Sequence, residues 1–193
     1  MTPPIFALDA CVLVSSALRD TLLRAAEANF YSPRWSEIIL EEVRRTLVNK
    51  QFTDEQRAQR PLVTLRSVFP RAMVTGFEQH IDAMTNHPKD RHVVAAAIEA
   101  RATRIITRNV RDFPARALAP YGIRAQRPDD LRCEWQRRRP ADMLAILRAQ
   151  GAFLRPQRAV GEVISTLADQ GAPRFAALAR RSLAESQPGE ADR

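Results

Sequence analysis

The residues Ile5-Phe6-Ala7-Leu8-Asp9 decide the fold, because a short apolar run ends in an acid and a helical pattern follows at once, over residues 11–28. Such a run predicts a buried strand that leads into a helix. Further strands are predicted at residues 29–33, 72–76, 104–107 and 122–125. Helices are predicted between them, at residues 33–50, 53–68 (with Thr53 as the cap) and 90–100. This alternation predicts an α/β protein with a mostly parallel sheet covered on both faces.

The pattern changes after Arg127, because from Pro128 onward the sequence has only helical periodicity. Helices are predicted there at residues 128–138, 141–150, 156–169 and 173–184. We therefore divide the chain into an α/β domain at 1–127, a small all-helical extension at 128–185 and a polar tail at 186–193 that we expect to be frayed.

The composition is that of a globular protein: 45% of the 193 residues are hydrophobic, enough to bury a sizeable core. No apolar run approaches the roughly 18 residues that a membrane span needs. The N-terminus has no basic start and no long apolar stretch, so we expect no secretory signal and a soluble, cytoplasmic protein. The formal net charge of +8 favours an acidic partner such as nucleic acid. All but two basic residues are arginine, however, a bias that genome composition also explains.

Three acids are predicted to meet at one edge of the sheet. Ligands of parallel α/β sheets bind beyond the carboxyl ends of the strands. Asp9 ends the first strand, Asp112 lies in the loop after the strand at 104–107, and Asp90 begins the helix that leads into that strand. The three positions come from different parts of the chain and can therefore share one crevice.

A fourth acid comes from the helix predicted at 33–50. On a helical wheel, Glu42 falls inside an apolar stripe, where an unpaired carboxylate is costly unless a cation accompanies it. The stripe consists of Trp35, Ile38, Ile39, Val43 and Leu47. Four carboxylates would suit Mg²⁺ or Mn²⁺, ions that prefer oxygen ligands and lower the pKa of a bound water. The sequence therefore predicts metal-dependent hydrolysis of a nucleic-acid backbone.

Each acid also has a purely structural explanation. Asp90 could cap its helix, and Asp112 could stabilise a turn. Glu42 could pair with Arg45 or Arg66, and Asp9 could serve the end of its strand. These explanations weaken together, because one edge of one sheet would have to collect four unrelated acids.

Other kinds of site find no support in the sequence. Cys11 stands where a phosphoaspartyl hydrolase would have its second aspartate, and the six glycines form no phosphate-binding loop. The three histidines lack zinc spacing, and the wheel places His92 opposite Asp90, as a surface or packing residue. Cys11 and Cys133 are interpreted as core residues and not as nucleophiles.

Four stretches, in order, resemble the motifs of PIN-domain ribonucleases. They are Leu8-Asp9-Ala10-Cys11-Val12-Leu13-Val14, Ile38-Ile39-Leu40-Glu41-Glu42-Val43, residues 90–97 (DRHVVAAA) and residues 105–114 (IITRNVRDFP). The resemblance implies a PIN-like α/β/α sandwich and a Mg²⁺- or Mn²⁺-dependent endoribonuclease whose acids are Asp9, Glu42, Asp90 and Asp112. It also assigns Thr107 and Asn109 to the family's polar positions after the strand.

Many bacterial members of that family are VapC-type toxins, and the C-terminal helices resemble those of a longer VapC subgroup. The resemblance thus implies an RNA substrate, a cognate antitoxin and a homodimer, with no membrane partner. Arg108 and Arg111 are expected to bind phosphates near the acids. Two alternatives stay open, namely a non-catalytic RNA- or protein-binding module on the same fold and a nuclease that acts on DNA.

Overall fold

The computed structural model describes residues 2–49 and 54–186. The chain divides into two compact units: the first comprises Met1–Ser15 with Asn29–Arg127, the second Ser16–Ala28 with Pro128–Arg193. The division made from the sequence had assigned residues 16–28 to the first part. Among the described residues, no helix combines the length and the apolar character needed to cross a membrane.

The first unit contains a four-stranded parallel sheet. Its strands are β1 (Ile5–Leu8), β2 (Ser32–Arg34), β3 (Arg104–Ile106) and β4 (Arg124–Gln126). The strand order is β2-β1-β3-β4, and every pairing is parallel. All but the first residue of each central strand, β1 and β3, are buried, as expected for short apolar strands in a parallel sheet. Leu8 and Ile106 are paired at the carboxyl edge.

The helices are numbered in chain order. They are α1 (Ala10–Leu13), α2 (Ser16–Glu27), α3 (Glu37–Asn49), α4 (Glu55–Val68), α5 (Arg91–Glu99), α6 (Ala115–Leu118), α7 (Pro128–Arg138), α8 (Pro140–Phe153), α9 (Val160–Asp169) and α10 (Pro173–Glu185). Short 3₁₀ turns precede α5 at Pro88–Asp90 and follow β3 at Val110–Asp112. The predicted α/β class with a parallel sheet and additional C-terminal helices is confirmed.

Several boundaries differ from those predicted. The strand expected at 72–76 is wrong: those residues form only an isolated bridge between Trp35 and Met73, after a 3₁₀ turn and before Gly76 at a φ of 76°. The helix predicted from Pro33 begins at Glu37, because Pro33 belongs to β2 and pairs with Phe6. The first predicted helix is interrupted between α1 and α2.

The beginning of α4 also differs from the prediction. The N-cap is Asp54, whose carboxylate accepts a hydrogen bond from the Arg57 backbone N–H at 2.7 Å. The predicted cap Thr53, the predicted helix end Lys50 and the residues of the tail from 187 onward lie outside the described residues. The helix predicted at 156–169 begins only at Val160.

The second unit is a helical assembly with buried polar contacts. Asp129 of α7 accepts hydrogen bonds from the backbone N–H of Phe175 at 2.9 Å and of Arg174 at 3.3 Å, and so caps the N-terminus of α10. Thr21 of α2 donates to the side-chain oxygen of Gln150 of α8 at 2.7 Å. Both contacts join segments far apart in sequence. The Thr21–Gln150 contact links α2 to the C-terminal helices of this unit.

Candidate active site

The carboxyl ends of β1 and β3 form the floor of the candidate site. Asp9 follows β1 and Thr107 follows β3, and the Asp9 backbone N–H donates to the Ile106 carbonyl at 3.1 Å. The strand order reverses between these two strands, since β2 lies on one side of β1 and β3 on the other. Crevices at such switch points are where parallel α/β sheets bind ligands.

Two side chains hold the Asp9 carboxylate in place. Its Oδ2 accepts hydrogen bonds from Thr107 Oγ1 at 2.6 Å and from Cys11 Sγ at 2.9 Å. The Arg108 backbone N–H in turn donates to Cys11 Sγ at 3.2 Å. Burial, together with the neighbouring Asp9 charge, raises the pKa of the Cys11 thiol to about 12, so the thiol keeps the proton that it donates. Cys11, interpreted from the sequence as a core residue, therefore belongs to the site.

Asp90 precedes α5, yet its role is not that of a helix cap. Within the described residues, the side chains of Asp90 and of Asp9, which precedes α1, make no capping hydrogen bond. Asp90 is buried, and its Oδ2 makes no hydrogen bond among the described residues; Lys89 Nζ and His87 Nδ1 each lie 3.8 Å from it, beyond hydrogen-bond distance. An orphaned buried carboxylate oxygen is costly in a folded protein unless it has a partner that the chain itself does not supply.

The four predicted acids influence one another electrostatically. Burial raises the pKa of Asp90 to about 6; Lys89 opposes the increase, and the charges of Asp9, Asp112 and Glu42 add to it. Charges act on a pKa in this way only at short range. The charges of Asp9, Asp112 and Glu42 therefore all act on Asp90, which lies at the sheet edge where the sequence analysis expected Asp9, Asp90 and Asp112 to meet.

Lys89 lies between two of the acids. Its Nζ is 3.3 Å from Asp112 Oδ2 and 3.8 Å from Asp90 Oδ2. The charges of Asp90, Asp112 and Asp9 raise the pKa of this ammonium group. Lys89 was not among the site residues predicted from the sequence, although it adjoins Asp90 and is one of only two lysines in the chain.

Glu42 pairs with a histidine and not with an arginine. The arginines considered as its partners bind elsewhere: Arg45 contacts Glu41 and Arg66 contacts Glu37. His92 Nε2 lies 3.4 Å from Glu42 Oε2, within ion-pair distance, although the two atoms make no hydrogen bond. His92 is buried, which agrees with the packing role that was one of the two expected from the sequence, and it lies beside Glu42.

The apolar stripe of α3 also lies differently from the prediction. Ile38 is 38% exposed, and the Glu42 side chain, one turn later, is 34% exposed. The buried residues of the helix are Ile39, Leu40, Val43 and Leu47. Glu42 therefore lies beside the buried face of the helix, and its carboxylate stays accessible to an ion from solvent.

The predicted substrate residues divide into a buried one and three exposed ones. Thr107 is fully buried, and its hydroxyl bonds Asp9 and accepts from the Asn109 backbone N–H at 3.0 Å. Arg108, Asn109 and Arg111 are exposed in the segment that follows β3. Thr107 is therefore placed to orient the Asp9 carboxylate, whereas Arg108, Asn109 and Arg111 are accessible to a ligand.

The chemistry of the acidic cluster fits a hydrated Mg²⁺ or Mn²⁺ ion. As they stand, no three His, Cys, Asp or Glu side chains within residues 2–49 and 54–186 are arranged to hold a metal ion. Mg²⁺, however, keeps several waters and commonly uses only one or two protein carboxylates directly. Oxygen ligands are the ones that it prefers, and Asp90 Oδ2 is a buried oxygen with an unused capacity to bind.

Comparisons with known proteins show the family of the chain. The family described as "PIN domain" matches residues 6–111, a range that contains Asp9, Glu42 and Asp90 and ends one residue before Asp112. A Mycobacterium tuberculosis protein named "Putative ribonuclease VapC50" is 37% identical over 141 residues, which cover 70% of this chain and 83% of that protein. The search of solved structures gave no match.

Proposed function

Because the chain belongs to the PIN-domain family, we propose that it is a metal-dependent endoribonuclease that acts as the toxin of a toxin–antitoxin pair. The observation that carries the proposal is buried Asp90, whose Oδ2 makes no hydrogen bond and on which the charges of three other acids, Asp9, Asp112 and Glu42, act. The name of the M. tuberculosis relative supports RNA as the substrate and a VapC-type role.

The four acids would hold the metal and orient the attacking water. When bound, Mg²⁺ or Mn²⁺ supplies positive charge to the phosphate and lowers the pKa of its water. Asp9 is pre-oriented for binding because Thr107 and Cys11 donate to its Oδ2. Asp90 offers its unpartnered Oδ2, while Asp112 and Glu42 approach from the loop after β3 and from α3.

The RNA backbone would be bound by the exposed segment after β3. Arg108 and Arg111 carry charges that complement phosphates, and Asn109 offers an amide to the same strand. The net charge of +8 offsets the repulsion between RNA and the acidic cluster. Because Thr107 is buried, its proposed role is to position Asp9 and not to contact the substrate.

The proposal includes a cognate antitoxin, a homodimer and a cytoplasmic location. Its grounds are the family and the name of the relative, since toxins of VapC type are paired with antitoxins. Mass analysis of the purified protein tests for a co-purifying antitoxin, and light scattering of the free protein gives the oligomeric state. A monomer at micromolar concentration would remove the dimer from the proposal.

The central test is cleavage of total RNA by the purified protein with Mg²⁺ or Mn²⁺. Discrete cleavage is expected, and chelator or Asp9→Asn should abolish it. Asp82→Asn, which changes an exposed aspartate of the same unit, serves as the matched control and should retain activity. RNA binding without turnover, after an antitoxin has been excluded, would favour the non-catalytic module, and cleavage of DNA in a parallel reaction would favour a DNA nuclease.

A further inference from the structure

One cation inside the acidic cluster has no part in the proposed chemistry so far. The Lys89 ammonium is 3.3 Å from Asp112 Oδ2 and 3.8 Å from Asp90 Oδ2. Its side chain is 58% exposed, so its four-carbon stem lies largely in solvent. The contact is therefore one that the lysine can leave without disturbing the core.

Lys89 and a divalent ion would compete for the same carboxylate oxygens. Asp112 and Asp90 are two of the four acids proposed to hold the metal, and an ammonium so close repels a second cation. Without metal, however, the same ammonium neutralises part of the charge of three neighbouring carboxylates, those of Asp90, Asp112 and Asp9. The lysine thus stabilises the metal-free cluster and opposes loading of the metal.

The choice of lysine is chemically informative in this chain. All basic residues other than Lys50 and Lys89 are arginine. A guanidinium would bind the two carboxylates through a planar, bidentate contact, whereas an ammonium is a compact charge on a flexible stem. A lysine is the better residue for a cation that must leave one set of oxygens and bind another.

We propose that Lys89 is a displaceable counterion: its ammonium group occupies the Asp90–Asp112 oxygens until a divalent ion binds, and it then contacts a phosphate of the RNA substrate. The proposal rests on the proposed function, since it requires a metal at the acids and RNA at the cleft. Lys89 would thus both weaken metal binding and contact the substrate.

The first experiment measures metal affinity without RNA. Mn²⁺ is titrated calorimetrically into the metal-free full-length protein and into Lys89→Met, Lys89→Arg and Arg116→Met. Lys89→Met is expected to bind Mn²⁺ at least about threefold more tightly, because it removes a competing charge, and Lys89→Arg to bind it more weakly. Arg116 is exposed on α6, so Arg116→Met removes one positive charge of the same unit and should leave the affinity within about twofold.

The second experiment measures the RNA contact at saturating Mn²⁺. For a fluorogenic RNA oligonucleotide, Lys89→Met is expected to raise KM about threefold or more. It should also flatten the dependence of log(kcat/KM) on log[salt] by about 0.7, the value for one lost phosphate contact on a single strand. Lys89→Arg should keep the wild-type salt dependence, because it keeps the charge.

The outcomes separate this inference from the proposed function. A wild-type protein that binds no Mn²⁺ and cleaves no RNA would refute both. A wild-type protein that binds Mn²⁺ and cleaves RNA, with Lys89→Met unchanged in Mn²⁺ affinity, would refute the counterion alone. Tighter Mn²⁺ binding with unchanged KM and salt dependence would also overturn the proposal, because Lys89 would then make no contact with the substrate.

Discussion

Replacing Asp90 with asparagine is expected to stabilise the metal-free protein while it removes RNA cleavage. The carboxyl group is buried among three other acids, and burial is the largest cause that raises its pKa to about 6. Ionised Asp90 is therefore unfavourable in the folded protein at neutral pH, whereas the amide of an asparagine carries no charge to desolvate. The same substitution deletes the proposed metal ligand.

The size of the effect follows from the pKa. The rise from the usual 3.8 to about 6 corresponds to roughly 3 kcal/mol if fully expressed, at about 1.4 kcal/mol for each pH unit. Solvent screening at the open side of the site reduces this, and we expect about 1–2 kcal/mol. For a chain of this size, that is an increase in Tm of about 3–6 °C.

The direction of the Asp90 pKa shift determines the pH range in which Asp90→Asn should differ in stability from the wild-type protein. Folded Asp90 binds its proton more tightly than unfolded Asp90, so the wild-type protein loses stability as the pH rises from about 4 through about 6, and the loss persists above. The advantage of Asp90→Asn should therefore be absent near pH 4 and complete above pH 7. Thermal unfolding in chelator at several pH values measures it, with Asp82→Asn as control. An Asp90→Asn protein no more stable than wild type at pH 7.5, or equally stabilised at every pH, would refute the reasoning.

Three further predictions concern the contacts around the site and the second unit. Thr107→Val removes the hydroxyl that donates to Asp9, so kcat/KM should fall about tenfold. The free energy of unfolding, measured in urea, should fall by about 1–3 kcal/mol. Thr107→Ser keeps the hydroxyl and should retain most activity. His92→Leu removes the imidazole beside Glu42 and should lower kcat/KM about tenfold. His92→Gln keeps a polar side chain and should lower kcat/KM less. Retained activity in His92→Leu would contradict a positioning role. Asp129→Ala removes the cap of α10 and should cost about 1–2 kcal/mol in urea unfolding followed by tryptophan fluorescence, and an unchanged midpoint would exclude that role.

The acids could be predicted from the sequence because backbone topology places them. Asp9 ends an apolar strand and Asp112 follows another, and parallel strands bring their carboxyl ends to one edge. Asp90 begins the helix before β3, so it reaches the same edge. None of these positions depends on the conformation of a side chain, which is why strand and helix patterns sufficed.

Predictions that required an exact helix start were less successful. The wheel gave no indication that His92 lies beside Glu42, because that contact joins two different helices. The helix counted from Pro33 began too early, since the same residue pairs in β2. The strand expected at 72–76 reduces to one bridge, because sequence propensity does not show whether a neighbouring strand edge is available.

The residues that sequence reasoning missed are those placed by side-chain reach. Lys89, Cys11 and His92 are each within two residues of a predicted acid, yet only the folded chain shows that Lys89 spans to Asp112 and that His92 turns to Glu42. Their shared feature is that each contacts a carboxylate while the acids stand without metal. A cluster of four carboxylates has to be neutralised, hydrogen-bonded or protonated before it is loaded. A cation or hydrogen-bond donor beside the acids is what this requirement predicts, and Lys89, Cys11 and His92 lie in such positions.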